Sequence, residues 1–303
     1  MLSKLFRAIK NPKLFVLKAA SLGWFNWMDD VTYLKMIYCL KMGKSLDLEN
    51  PKTFNEKLQW LKIHNRKPEY TIMVDKYAVK KYVADIIGEE YVIPTLGKWD
   101  HFDDIDFDQL PNQFVLKCNH DSGSFVIVKD KAKFDRKVAK KKLEARLKRN
   151  LYWIYREWPY KDVKPCIIAE KYLQNPDYHY CDRLRDYKFF CFNGEPKIVL
   201  IANDVCEGDE RTDFFDMDYN VTGMRTRDPN SDKPLPKPVC FEKMKEISRK
   251  LSKGIPHVRV DMYVVDGKIY FGELTFFHLA GFAHIQPPEW DMRMGEWIDL
   301  VRS

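Results

Sequence analysis

Val258-Arg259-Val260-Asp261-Met262-Tyr263-Val264-Val265-Asp266-Gly267-Lys268-Ile269-Tyr270-Phe271-Gly272-Glu273-Leu274-Thr275 is rich in β-branched and aromatic residues on both sides of an Asp-Gly pair, the pattern of a β-hairpin. Acids stand inside both strands. If the turn is a three-residue loop (Asp266, Gly267, Lys268) with Gly267 in the left-handed conformation of a bulge, Val265 faces Ile269 and Asp261 faces Glu273. The two carboxylates then share one face of the sheet. A two-residue turn instead puts them on opposite faces. Like charges facing each other across a ladder destabilise it, so the shared-face register calls for a compensating cation, and hard oxygen ligands suit Mg²⁺. On that reading, neutralising either acid leaves the metal-free protein no less stable. The plainer explanation is an edge hairpin charged for solubility.

Upstream, Phe114-Val115-Leu116-Lys117 reads as a strand ending in a cation, followed by Asn119-His120-Asp121-Ser122-Gly123-Ser124. The backbone N–H groups of such a small-residue loop can close over phosphates while the lysine supplies a point charge. The loop holds too little glycine for a P-loop. As plain chemistry it is an ordinary turn, His120 a loop hydrogen-bonder and Lys76 a solvated first-turn residue beside Asp75.

The pattern divides the chain into four parts. Residues 1–69 read as helical. Over 1–23, Lys4, Arg7, Lys10, Lys13 and Lys18 alternate with apolar residues, which suits a helix packed on the protein or a contact with a membrane surface. The pattern is interrupted at Asn11-Pro12. Thr53 and Glu56 form a capping box that opens a helix carrying Phe54, Leu58, Trp60, Leu61 and Ile63. Residues 70–112 read as a small α/β lobe, with a helix over 75–87 stopped by Gly88, a strand over 91–93 and the breaker Pro94. Residues 113–175 give strands over 114–118, 125–128 and 167–170 around a basic helix from 136 to about 150. Residues 176–303 give strands over 187–192 and 197–202 joined by Asn193-Gly194, a Pro-rich loop over 229–238, a helix over 241–254 and the acidic hairpin. The order argues for an α+β protein with antiparallel sheets.

Bulk properties agree with a folded protein of more than one lobe: 303 residues exceed what a single core usually supports, and 45% are apolar against 31% charged. The net charge of +7 suits an anionic partner, but 51 basic against 44 acidic residues is an excess that solvated lysines explain, and no nucleic-acid partner is expected. The 7 cysteines are odd in number and lack C-x-x-C spacing, so neither a disulfide framework nor a zinc site is indicated. No apolar run reaches the length of about 18 residues that spans a bilayer. A cytoplasmic protein is expected, with peripheral contact of residues 1–23 on the inner membrane face as the further option.

Taken in order, Asp75-Lys76-Tyr77, Val92-Ile93-Pro94, Phe114-Val115-Leu116-Lys117, the Ser/Gly loop, Ile168-Ala169-Glu170-Lys171-Tyr172-Leu173, Arg259-x-Asp261 and Glu273-x-Thr275 resemble an ATP-grasp enzyme over roughly residues 70–285. More narrowly, Asn50-Pro51-Lys52-Thr53-Phe54-Asn55-Glu56-Lys57-Leu58-Gln59-Trp60, Leu116-Lys117-Cys118-Asn119-His120-Asp121-Ser122-Gly123 and Asp186-Tyr187-Lys188-Phe189-Phe190-Cys191-Phe192-Asn193-Gly194 resemble the TupA-like branch. That branch occurs among bacterial surface-polysaccharide and teichuronopeptide biosynthesis proteins.

The resemblance implies two α+β lobes sandwiching ATP, 113–175 as the small lobe and 176–303 as the large one. Lys76 and Lys117 would touch phosphates, His120, Ser122, Gly123 and Ser124 would form the closing loop, and Glu170, Lys171, Tyr172 and Leu173 would contact adenine. Asp186 and Lys188 would line the cleft, Arg259 would hold the acyl phosphate or acid substrate, and Asp261, Glu273 and Thr275 would bind Mg²⁺. Thr275 departs from the family, which usually shows Asn there. The implied reaction joins a carboxylate to an amine through an acyl phosphate, with a uronic-acid-containing glycan and an amino acid or amine as substrates. The rival reading is a metal-dependent glycosyltransferase built on Asp216-Met217-Asp218.

Overall fold

The computed structural model describes residues 11–174, 184–203 and 211–300. Helices open the chain: α1 (Pro12–Ser21), α2 (Asp30–Met42), α3 (Phe54–His64), α4 (Glu69–Val74) and α5 (Val79–Ile87). A first sheet contains β1 (Thr95–Trp99), β2 (Phe114–Cys118), β3 (Phe125–Val128) and β4 (Ile167–Lys171), with α6 (Arg136–Leu147) and α7 (Leu151–Tyr155) between its last two strands. A second holds β5 (Asp186–Phe192), β6 (Glu195–Asn203), β7 (Arg211–Asp216), β8 (His257–Val265) and β9 (Lys268–Thr275), with α8 (Phe241–Ser252) before β8 and α9 (Glu289–Glu296) after β9. The strand orders are β1-β4-β2-β3 and β7-β6-β5-β8-β9, and every pairing is antiparallel. This is the α+β architecture expected.

Alternation along the strands decides which face of each sheet is left for chemistry. In β2, Phe114, Leu116 and Cys118 join Ala139 and Leu143 of α6 in one buried cluster, so Val115 and Lys117 point the other way. In the second sheet, α8 covers one face with Phe241, Met244, Ile247 and Leu251, spaced as a helical stripe, and Phe189 meets Phe241 with ring centroids 5.6 Å apart. Each such side chain contributes about 1.5–3 kcal/mol on burial. The opposite face carries Phe190, against which Phe54 of α3 packs at 6.5 Å. Farther along that face, the register aligns Lys188 with Asp261 and Asp261 with Glu273, and Arg259 with Thr275.

That register is reached by a route the sequence did not suggest. Val265 pairs with Lys268, so the turn has two residues, Asp266 at φ 51° and Gly267 at φ 74°, and Val264 rather than Val265 faces Ile269. Such a turn alone would separate the acids. A bulge between Asp261 and Met262 undoes this: Met262 faces Phe271, Asp261 faces Glu273, and Gly272 is the extra residue. A Cβ at Gly272 would stand 3.0 Å from the Asp261 carbonyl oxygen and 3.1 Å from the Tyr263 ring. Gly272→Val is therefore expected to destabilise the protein by about 1–3 kcal/mol through overpacking, measured as a lower urea midpoint.

Two other local expectations shift. No strand forms over 91–93; a 3₁₀ turn covers Glu89–Tyr91 and β1 begins after Pro94, whose carbonyl accepts the Lys171 N–H at 3.0 Å. Proline lacks an N–H but keeps this acceptor, so it leads into a strand as readily as it breaks one. The helix expected over 75–87 starts at Val79, because the Asp75 carboxylate caps a turn by accepting from Tyr77 N at 2.8 Å and Ala78 N at 3.2 Å. At Asn11-Pro12, where the pattern is interrupted, α1 starts, with Asn11 as N-cap and Pro12 in the first turn; residues 1–10 lie outside the described residues.

Candidate active site

The charged face of the second sheet is a compact ionic network. Arg259, on β8, donates from Nε to Asp261 Oδ1 at 2.7 Å and from Nη2 to Asp261 Oδ2 at 2.6 Å. Lys188, one strand over on β5, reaches Asp261 Oδ2 at 3.1 Å and Asp186 Oδ2 at 2.7 Å. Glu273, across the ladder on β9, takes Lys76 Nζ at 3.2 Å, and Arg259 Nη2 lies 3.7 Å away. Thr275 Oγ1 accepts from Arg259 at 3.1 Å and donates to Glu273 at 3.3 Å. Arg259 is thus ion-paired with Asp261, which leaves the guanidinium on the same face as every acid of the network.

The first sheet presents a smaller counterpart. Glu170, buried on β4, binds Lys117 Nζ at 2.5 Å and Lys80 Nζ at 2.7 Å. Burial would push the Glu170 carboxyl up, but the two ammonium groups overrule it and its pKa falls below the ordinary value. Lys76 and Lys80 flank the start of α5, one paired with Glu273 of the second sheet and the other with Glu170 of the first. The segment 76–80 therefore links the charged faces of both sheets.

Not every expected residue joins this network. His120 is buried, with Nε2 2.9 Å from the Arg149 carbonyl and Nδ1 3.2 Å from Asn119 Oδ1. Ser124 is also buried, while Ser122 and Gly123 form the exposed tip, Gly123 at φ 73°. Lys171 alternates away from Glu170 and is exposed; Tyr172 and Leu173 follow the strand half-buried. In the rival D-x-D, Asp216 spends its carboxylate on its own turn, accepting from Asp218 N at 3.0 Å and Asn220 N at 2.8 Å.

The structure also adds residues that sequence reasoning missed. Lys80 is one. His278 is another, its Nδ1 2.7 Å from Arg259 Nη1; burial and the Arg259 charge push its pKa far down, so it is a neutral acceptor. The backbone beside it is unusual, with Leu279 at φ 47°, Ala280 at 54° and Gly281 at 70°. Gln59 and Lys62 of α3, both fully buried, hold this turn: Gln59 Nε2 donates to Gly281 O at 2.6 Å, and Lys62 Nζ to Ala280 O at 2.8 Å. Gln59 was visible in the Thr53-to-Trp60 motif, but nothing local pointed to its partner over 200 residues away.

A family model described as TupA-like ATPgrasp matches residues 56–299. The chain belongs to the TupA-like ATP-grasp family. No curated protein matches it. Among solved structures it is similar to D-alanine–D-alanine ligase from Bacillus anthracis at 20% identity and a TM-score of 0.39, over 68% of this chain and 57% of that one. It is also similar to D-alanine–D-alanine ligase from Helicobacter pylori, at 13% identity and 0.43, over 84% and 69%. A third is an N5-carboxyaminoimidazole ribonucleotide synthetase in complex with ADP, at 14% and 0.41, over 73% and 50%. The chain thus spans about half to two thirds of the lengths of these proteins.

For this ATP-grasp protein the oxygens of Asp261, Glu273 and Thr275 are all hard donors on one face, the chemistry that suits Mg²⁺. Glu273 is the more open acid, its side chain 35% exposed against 2% for Asp261. Burial would raise the Glu273 carboxyl, but Lys76, Arg259 and Lys188 hold it at about 2. Its folded pKa thus lies below its ordinary 4.5, so its contribution to stability is complete above pH 4.5 and disappears as the pH falls through 2. Urea unfolding of wild type and Glu273→Gln, each without metal, should show a gap that is constant above about pH 5 and closes on acidification. A gap that widens below pH 4 would contradict the assignment.

Proposed function

We propose that this ATP-grasp protein is an ATP-dependent carboxylate–amine ligase. The observation that supports it best is the lysine set that joins both sheets: Lys76 on Glu273, and Lys80 and Lys117 on Glu170. Cations gathered between two acid-bearing faces suit a polyphosphate accompanied by a divalent metal. Lys76 and Lys117 meet the phosphates, with the exposed Ser122-Gly123 tip above them and His120 and Ser124 anchoring the loop. Glu170, Lys171, Tyr172 and Leu173 form the adenine segment, and Asp186 and Lys188 line the cleft. Asp261, Glu273 and Thr275 would hold Mg²⁺, which when bound offsets phosphate charge.

In the reaction a carboxylate oxygen attacks the γ-phosphorus of ATP, forming the acyl phosphate and releasing ADP. The amine nitrogen then attacks the acyl carbon, loses a proton and expels phosphate. Arg259 is oriented by Asp261 and His278 so that its guanidinium can meet the acyl phosphate or the acid substrate. The acid we favour is a uronic-acid unit of a bacterial surface glycan or its precursor, and the amine an amino acid, joined in the cytoplasm. The described cysteines Cys39, Cys118, Cys166, Cys191 and Cys240 are free thiols, which suits that compartment; Cys181 and Cys206 lie outside the described residues.

Two measurements test the reading. Mg²⁺-ATP should raise the melting temperature and UDP-glucose should not, because only a ligand of the native state stabilises it. ADP release should then require both an acid and an amine from a panel of uronic acids and amino acids. A shift with UDP-glucose alone would return the glycosyltransferase reading.

A further inference from the structure

α1 is only half covered. Ala20 enters a small core with Tyr33, Leu34, Ile37 and Phe282, whereas Leu14, Phe15, Leu22, Trp24 and Trp27 stay exposed, Trp24 by 61% and Trp27 by 81%. Phe15 and Trp24 meet edge to face with centroids 6.0 Å apart, so the helix and the turn after it share an exposed aromatic contact. Its charge is basic: Lys13 and Lys18 are exposed, and the sequence carries no acid before Asp29, while Lys4, Arg7 and Lys10 lie outside the described residues. The first two acids are engaged elsewhere, Asp29 capping α2 through Thr32 N and Asp30 pairing with Arg66 and Arg156.

Exposed tryptophan, phenylalanine and leucine beside lysines, with Asp29 at the margin as the nearest acid, is what the headgroup boundary of an anionic bilayer accepts: indoles sit at that depth and lysines meet lipid phosphates. A protein partner is less well matched, because interface cores are depleted in lysine. Nor do Leu22, Trp24 and Trp27, lying beyond or at the end of α1, continue the helical stripe that a groove would read. Among the described residues no helix is long and apolar enough to cross a membrane, so the contact is peripheral.

We propose that residues 13–28 dock the protein on an acidic lipid surface, with Trp24 and Trp27 entering the headgroup boundary and Lys13 and Lys18 facing lipid phosphates. The test is flotation of the full chain with phosphatidylcholine vesicles and with vesicles in which about a third of the lipid is phosphatidylglycerol. Binding should require the acidic lipid and weaken with salt. Trp24→Ser combined with Trp27→Ser should lower the partition on the order of ten-fold or more. Lys13→Gln and Lys18→Gln should each lower it about five-fold, with circular dichroism and melting unchanged in every variant. Absence of wild-type binding to acidic vesicles, or equal binding by the tryptophan variant, overturns the proposal. So does concentration-dependent self-association abolished by the tryptophan changes, which would make a second copy the occupant.

Discussion

Asp261→Asn is expected to lower the stability of the metal-free protein by about 3 kcal/mol or more, and Glu273→Gln by less, even though the two acids face each other. Repulsion between facing carboxylates argues from the hairpin alone that losing either one costs nothing. The surrounding cations reverse that expectation. Asp261 is the shared counter-charge of Arg259 and Lys188, with a side chain 2% exposed, and neutralising it leaves the buried guanidinium with Glu273 at 3.7 Å as its nearest anion, while Lys188 keeps Asp186. Glu273 is 35% exposed, so water partly screens its pair with Lys76, although Lys76 itself is only 14% exposed. Metal-free urea unfolding of both variants, with Asp104→Asn at an exposed site as control, measures the difference. Both active-face variants should also lose Mg²⁺-dependent turnover. Equal midpoints for Asp261→Asn and wild type would mean that Arg259 does not depend on the Asp261 charge, which overturns its place in the network.

What the sequence discloses here is mostly local. The two Asn-Gly and Asp-Gly hairpins, the alternation in β2 and the Thr53–Glu56 capping box all appear because each is written in neighbouring residues; Glu56 accepts from Thr53 N at 3.0 Å as the motif requires. The facing of Asp261 and Glu273 was also legible, but for a mistaken reason. A three-residue turn and a two-residue turn followed by a bulge give the same register at Asp261, and only the chain path distinguishes them. The residues missed are joined through space. Lys80 meets Glu170 across 90 positions of sequence, and Gln59 meets Gly281 across more. Their residue types carry no signal, because a lysine on a short helix is ordinarily solvated and a glutamine on an apolar helix ordinarily faces out. His120 is a further case: nothing in the neighbouring residues tells that this loop histidine is buried between Asn119 and the Arg149 carbonyl.

Glu170→Gln and Lys117→Met are expected to separate stability from nucleotide binding at the first sheet. Glu170 is the buried anion for two lysines whose side chains are 14% and 19% exposed, so its neutralisation should cost about 3–5 kcal/mol. Lys117→Met should cost less, about 1.5–3 kcal/mol at most, because Lys80 still holds Glu170 at 2.7 Å. Nucleotide affinity should run the other way. If Lys117 meets a phosphate, removing its charge weakens Mg²⁺-ATP binding by roughly 10- to 100-fold. Glu170 competes with phosphate for that lysine, so Glu170→Gln should bind tripolyphosphate no more weakly than wild type while losing preference for adenine over other bases. Calorimetric titration with ATP, GTP and tripolyphosphate, beside urea unfolding of both variants, resolves the two effects. Should Lys117→Met keep wild-type ATP affinity at reduced stability, Lys117 serves Glu170 alone, and the phosphate site must be built from Lys76 and Lys188.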